Sequence, residues 1–367
     1  MSLVHGLDGT EAAPDWDPIG DEDLALLARR YPQTLRGARV AWRSPRPFAA
    51  SALLETPDGT WFVKRHDPRV RDGAALREEH AFLAHLRERG IAVPRVLRDA
   101  QGQGALETAR GTFEVHERVA GHDAFREAHS WQPVRDGAQA RAIGRMLARL
   151  HMAAGGFDAP PRAGHPLLAG AEISHARLLA PALDEFLAER PALAGFLGDP
   201  APVLDALAPW HQALVPYESE LAPLWAHNDL HASNLSWDAQ ATEVVAVFDF
   251  GLCNRTSALA DLATALERNT VAWLEQDRGV PIGRPDLAKA LLAGYSEVLP
   301  LSSARRAALA AVLPLSHIEF ALSEAEYYAG VLRDPARARL AVPGFLQGHL
   351  RWFASPEGAE YLAALRG

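Results

Sequence analysis

Three oxygen-bearing side chains in one short stretch point to chemistry on a bound cation. In LWAHNDLHASNLSWDAQATEVVAVFDFG, residues 224–251, Asp229 and Asn234 follow the pattern H-x-D-x-x-x-x-N, and Asp249 opens D-F-G fifteen positions after Asn234. EVVAVFDF is a run of apolar and β-branched residues, which predicts a buried strand delivering Asp249 at its end. NLSWD followed by EVVAV predicts a hairpin that brings Asn234 close to Asp249. An amide oxygen and a carboxylate together suit magnesium, a hard ion that takes oxygen ligands. Asp229, in the loop before them, is suited to accept the proton of a substrate hydroxyl. His227 and His231 have the i, i+4 spacing that grips zinc on a helix. HNDLH lacks the Glu of H-E-x-x-H, and a zinc hydrolase using His227 and His231 would need more ligands than are apparent beside them. His227 is therefore read as a brace of the loop, and His231 as facing either substrate or solvent.

The elements around this loop change character along the chain. Residues 1–20 are rich in Gly, Pro and Asp and read as a mobile tail. Asp21 reads as the N-cap of a short helix, Leu24 to Arg30. ARVAW reads as a strand, and SALLET with TWFVKRH as a hairpin around Asp58-Gly59. Arg71 to Gly90 carries Leu76, Phe82, Leu83 and Leu86 on one helical face. RVLRD and GTFEVHERV add strands. Beyond Gly121 nearly everything reads as helix, interrupted by short strands near LWAH, NLSWD and EVVAVFDF. The fold class is α+β: a β-rich part at 21–120, then a helical part at 121–367.

This order of motifs resembles the protein-kinase-like fold from about residue 36 onward. The branch is that of aminoglycoside phosphotransferases, choline kinases and type II homoserine kinases. GIAVPRVL and IGRMLARLH are similar to recurring segments of that family. The resemblance implies a two-lobe kinase that uses Mg-ATP, with Lys64 of WFVKRH holding the nucleotide phosphates. It implies that Glu79, with Glu78 as the neighbouring candidate, pairs with that lysine, and that the hinge Glu117–Val119 meets adenine through its backbone. Asp229 is then the catalytic aspartate, Asn234 and Asp249 the magnesium ligands, and Asp261 a brace of the catalytic loop. Lys64 and Glu79 are far from that loop in sequence, so the expected site is a cleft to which both lobes contribute. The loop SPRPFAAS, residues 44–51, departs from the family pattern in having no glycine to let backbone amides approach phosphate.

Composition narrows the partners. The chain has 367 residues and a net charge of −9, so it has no bulk attraction for nucleic acid or anionic membrane. Its single cysteine, Cys253, excludes an internal disulfide and multi-cysteine metal sites, and is read as buried and inert. No transmembrane run or secretory leader is evident, and a cytoplasmic location is expected. His231 stands where protein serine/threonine kinases carry lysine. Only nine residues separate Gly251 from Asp261, too few for a peptide-docking activation segment. A small hydroxyl-bearing acceptor is therefore expected: an aminoglycoside, amino alcohol or hydroxy amino acid. Glu319, Glu324 and Glu326 either line a pocket for a cationic acceptor or form a solvated helix face. His151 reads as a favourable cation at a helix C-terminus. A nucleotide-binding pseudokinase or interaction module is the alternative; the complete set Lys64, Glu79, Asp229, Asn234 and Asp249 argues against it.

Overall fold

The structure is a computed structural model that describes residues 4–5, 9–162, 165–168 and 170–367. The chain forms two compact units, Met1–Ala120 with Ala246–Phe248, and Gly121–Val245 with Asp249–Gly367.

The first unit opens with β1 (Val4–His5) and β2 (Glu11–Ala12), which pair antiparallel within the segment expected to be a mobile tail. Helix α1 (Asp21–Arg30) starts earlier than predicted. Gly20 is its N-cap and donates its N–H to Asp23 (3.0 Å). Acidic residues at the start of α1 and arginines at its end suit the helix dipole. Strands β3 (Arg39–Arg43), β4 (Ala50–Thr56) and β5 (Gly59–His66) lead to α2 (Gly73–Glu88). Asp72 caps α2 by accepting the Ala75 N–H, so the helix begins two residues after Arg71. β6 (Ala105–Thr108) and β7 (Gly111–Glu117) complete an antiparallel sheet of order β3-β4-β5-β7-β6. The predicted β4-β5 hairpin forms in register Thr56 to Gly59. RVLRD forms no strand: Val96 makes one isolated bridge to His116, and β6 takes the outer place beside β7. The core joins Leu27, Tyr31 and Leu35 to Leu54, Val63, Phe113 and Val115 of the sheet. Buried beside it, Glu114 accepts from His66 (3.0 Å), His80 (2.9 Å) and His116 (2.9 Å). Burial opposes its charge, but the three imidazoles hold its carboxyl well below the usual range.

The second unit is mainly helical. It contains α3 (Gly137–Ala154), α4 (Leu179–Ala188), α5 (Pro191–Leu197) and α6 (Ala201–Leu214). Four short strands follow along the chain: β8 (Pro223–Ala226), β9 (Leu235–Trp237), β10 (Val244–Val247), whose last two residues belong to the first unit, and β11 (Asn254–Ser257). The predicted hairpin is β9-β10, closed by the Asp238 N–H on the Glu243 carbonyl (2.9 Å). β11 was not legible in NRTS, and it pairs with β8 to flank the motif loop. Then come α7 (Ala258–Thr270), α8 (Pro285–Ser296), α9 (Ser303–Glu326), α10 (Pro335–Arg339), α11 (Gly348–Phe353) and α12 (Pro356–Arg366). α7 stops at Thr270, short of the near-continuous helix expected beyond Gly121, because Val271 turns extended and bridges to Gly283. α3 and α8 touch backbone to backbone. A Cβ on Gly144 would lie 2.0 Å from the Leu291 carbonyl, and one on Gly294 2.0 Å from the Arg141 carbonyl. Among the described residues Ser303–Val331 is the one helical stretch apolar and long enough to cross a membrane, and its most apolar 18 residues are 89% buried inside the protein.

Candidate active site

The motif loop hangs from one buried carboxylate. Asp261, in the first turn of α7, accepts the His227 N–H (3.0 Å) and His151 Nε2–H (3.0 Å) on Oδ2, and the Asn228 N–H (2.8 Å) on Oδ1. It is fully buried. Burial raises its pKa, but His151, His227 and the backbone donors outweigh that and hold it below the ordinary carboxylate value. The brace implied for Asp261 is thus present. His151 works differently from the helix-end reading. It is buried, bonds Asp261 through Nε2, and its Nδ1 meets the Tyr295 hydroxyl (2.9 Å).

Asn228 sits at φ +60°, in the left-handed region that asparagine enters more readily than most side chains. Its Oδ1 accepts from Thr256 of β11 (2.7 Å), and its Nδ2 donates to the Leu252 carbonyl (3.2 Å). His227 is the brace anticipated. Its Nδ1 accepts the Asp229 N–H (3.2 Å), and its ring packs on Phe250 at 4.6 Å. On the far side of the loop, Asn269 accepts the Ala232 N–H (2.9 Å) and donates to the Leu230 carbonyl (2.8 Å). Asn269 carries no motif; only the fold reveals that α7 grips the loop at both ends.

Held this way, Asp229 presents a carboxylate with 19% of its side chain exposed. Burial opposes its ionisation. His231, 3.6 Å from Oδ2, and Arg268, 3.7 Å from Oδ1, overcome this with help from His227, and its carboxyl lies below the ordinary value. An ionised, weakly basic carboxylate orients a hydroxyl by accepting its hydrogen bond and takes the proton as the new ester bond forms. His231 does not face solvent. It is buried, its Nδ1 meets Ser233 Oγ (2.8 Å), and it lines a cavity of about 230 Å³ with Phe125, His129, Gln132, Arg135 and Ser233.

Asn234 donates Nδ2 to the Asp229 carbonyl (2.9 Å) and carboxylate (3.3 Å). With the amide nitrogen so engaged, its Oδ1 makes no hydrogen bond among the described residues, as a ligand oxygen for a hard cation requires. Asp249 follows β10 at φ +61°, a strained setting for a residue with a side chain, of the kind that functional sites retain. The donor set of Asn234 and Asp249 fits magnesium in its chemistry.

In the first unit, Lys64 is buried on β5, in register with Ser51 and Glu114. Glu79 of α2 is fully buried, whereas Glu78 is exposed, so Glu79 is the inward-facing candidate. Its ion partner is Arg71 at 3.5 Å, where the family resemblance implies Lys64. Glu117 donates its N–H to the Arg95 carbonyl (2.9 Å) and pairs with the Arg95 side chain, while Val119 lies just beyond the strand. The glycine-free loop is braced by β1: the His5 N–H reaches the Pro45 carbonyl (2.8 Å), and Arg46 meets His5 Nδ1 (2.8 Å).

The α9 carboxylates are not a solvated face. Glu319 is buried and accepts the N–H groups of Glu172 (2.8 Å) and Ser174 (2.9 Å). Burial and the Glu172 charge push it up to about 8. Glu326 accepts the Leu193 N–H at the start of α5 (2.6 Å). Glu324 is also buried, and burial pushes it up to about 8. Cys253 is buried as expected.

Residues 48–309 match the phosphotransferase enzyme family, and the chain belongs to it. It is 31% identical over 265 residues to a homoserine kinase of Methylobacterium radiotolerans, covering 70% of each chain. It is 28% identical over 315 residues to a homoserine kinase of Granulibacter bethesdensis, covering 83% of this chain and 86% of that one. A microcompartment-associated aminopropanol kinase shares the fold at a TM-score of 0.58 and 18% identity, over 92% of this chain and 99% of that one. The protein is a small-molecule phosphotransferase with a hydroxyl acceptor, built on a protein-kinase-like fold with a sheet-rich N-terminal and a helical C-terminal lobe.

Proposed function

We propose that this enzyme moves the γ-phosphate of ATP to the hydroxyl of a short hydroxy amino acid, with homoserine the first candidate. Asp229 accepts the hydrogen bond of the attacking hydroxyl and receives its proton. Lys64 binds nucleotide phosphate, and Glu117 and Val119 meet the base through backbone groups. Asn234 and Asp249 hold magnesium, which when bound offsets the charge of the phosphates. Glu79 positions the cationic side chains of its own unit, beginning with Arg71. The observation that carries this reading is the clamped, ionised Asp229: two backbone N–H groups on Asp261 fix the loop before it, and Asn234 ties its carbonyl. An idle nucleotide-binding scaffold has no need of a carboxylate held in that state. Homoserine is favoured over aminoglycosides because the curated relatives that match most of the chain are homoserine kinases.

The test is an acceptor panel with labelled ATP and magnesium: homoserine, 3-aminopropanol, choline, an aminoglycoside and simple sugars. Labelled O-phosphohomoserine as the dominant product is expected. ATP binding without transfer to any acceptor would favour the pseudokinase reading, and transfer to the aminoglycoside alone would replace the acceptor assignment.

A further inference from the structure

Three imidazoles of the first unit aim the same ring nitrogen at one buried carboxylate. Glu114 of β7 meets His66 Nε2 on Oε1 (3.0 Å), and both His80 Nε2 and His116 Nε2 on Oε2 (2.9 Å each). Lys64 and His66 alternate along β5 as Glu114 and His116 do along β7, and Lys64 is in register with Glu114. These side chains therefore share the sheet face opposite the core residues Val63, Phe113 and Val115. His80 reaches them from α2. Glu114 is fully buried, and among the described residues the three rings are its only ion partners.

Hydrogen bonding alone does not call for imidazoles here, since a hydroxyl or an amide donates to a carboxylate equally well. What the rings add is a nitrogen lone pair, turned toward Oε2 once the ring proton moves to Nδ1. A Cβ on Gly104 would lie 3.0 Å from His80 Nδ1, so the bare glycine leaves that nitrogen room to carry its proton. Two imidazole nitrogens and a carboxylate oxygen around one point suit zinc, and not magnesium, which takes oxygen ligands. Zinc bonds of about 2.0–2.1 Å set tetrahedral ligand-to-ligand edges of about 3.3 Å. The two 2.9 Å separations open to that value through small side-chain rotations, and the three ligand atoms lie within 4.8 Å of one another. The His80 and His116 rings stand at 73° to each other, so they address that point from different directions. His66 keeps the other oxygen, the place of a partner that orients a ligating carboxylate. His80 is the least covered of the group, with 12% of its side chain exposed, and gives the ion its way in.

We propose that His80, Glu114 and His116 form a zinc site in the first unit, with a water as fourth ligand and His66 holding the ligating carboxylate. The ion ties α2 to β7 at the residue beside Glu79, and so stabilises the unit that carries Lys64.

The experiment takes the full chain, strips it of metal with a chelator, and returns it to buffer with excess magnesium, which fills oxygen-donor sites. Cobalt(II) is then titrated as a visible probe, and zinc in competition with a chromophoric chelator. The parent is expected to bind one equivalent of cobalt with the strong visible absorption of a four-coordinate ion, and zinc should displace it. Zinc should also raise the unfolding temperature, and chelator should reverse the rise. His80→Gln keeps a donor for Glu114 and removes a ligand nitrogen; zinc affinity should fall by about 100-fold or more, and the thermal shift should vanish. His66→Ala should weaken zinc by about 10- to 100-fold. No binding by the parent, only the weak absorption of six-coordinate cobalt, or parental zinc affinity in His80→Gln overturns the site. Unfolding of the metal-free proteins reports whether each variant folds. Should His80→Gln fail to fold, His116→Gln takes its place with the same expectation and the same refuting result.

Discussion

Asp261→Asn tests whether the loop before Asp229 is held by charge or merely by shape. Asp261 meets three donors with two oxygens: the His227 N–H and His151 Nε2–H on one, the Asn228 N–H on the other. An amide in the same place keeps one oxygen. Its better orientation retains His227 and His151 and turns its own N–H₂ toward the Asn228 N–H. That leaves a buried donor unsatisfied, at about 1–3 kcal/mol. The two retained bonds lose charge assistance, at about 1 kcal/mol each. The sum is about 3–5 kcal/mol, below the total stability of a typical domain, about 5–15 kcal/mol, so the variant folds. Asn228 then loses one of the contacts that impose φ +60°, and a shift of about 1 Å at Asp229 lowers transfer roughly 10²-fold. Urea denaturation reads the first effect, and single-turnover transfer with saturating ATP reads the second. The Asp261 carboxyl lies below its ordinary value when folded, so its contribution is present above about pH 4 and is lost as pH falls through the folded value. The stability gap between parent and variant should therefore close in acid. Parental transfer alongside the full stability loss would show that the loop is positioned by something else. No stability loss at all would refute the bonding described here.

Lys64→Ala should lower ATP affinity at least tenfold and leave thermal unfolding little changed; calorimetric titration with Mg-ATP checks it, and parental affinity would remove Lys64 from the nucleotide site. Glu319→Gln should be more stable than the parent at pH 9 and no more stable at pH 5. The Glu319 carboxyl is pushed up to about 8, so the folded state retains a proton that the unfolded chain releases from about pH 4.3 upward. The parent therefore loses stability as pH rises through that window, and the variant does not. Unfolding temperatures across that range test the sign, and a gap independent of pH would contradict it.

What could be read from the sequence was whatever depends on short separations. The spacing of Asp229, Asn234 and Asp249 encodes a loop, a turn and a hairpin that the chain builds locally, and the structure forms them in that order. The Asp58-Gly59 hairpin and the α2 face are legible for the same reason. What escaped depends on distant partners. Nothing near His151 announces Asp261, 110 residues away, so a helix-end dipole was the available local reading. Asn269 reads as an ordinary helical residue until its two bonds to the loop are seen. Glu319 and Glu324 read either as pocket carboxylates or as a solvated face, because spacing on a helix does not show which sides are covered, whereas α9 is buried on nearly every side. RVLRD has strand composition, but the chain enters it from Pro94 and makes one bridge, leaving the edge to ALET. The Glu79 pairing shows the limit of family resemblance. The helix and the inward direction carry over, but the cation opposite is Arg71, which no motif marks.

The central claim is that Asp229 is the group that turns nucleotide binding into transfer. The direct measurement pairs Mg-ATP affinity with single-turnover transfer to homoserine for the parent and Asp229→Ala. Lys64, Asn234 and Asp249 are untouched in the variant, so ATP affinity should stay within about threefold of the parent, while transfer falls by ~10²–10⁴. A variant that transfers phosphate at the parental rate would contradict the account.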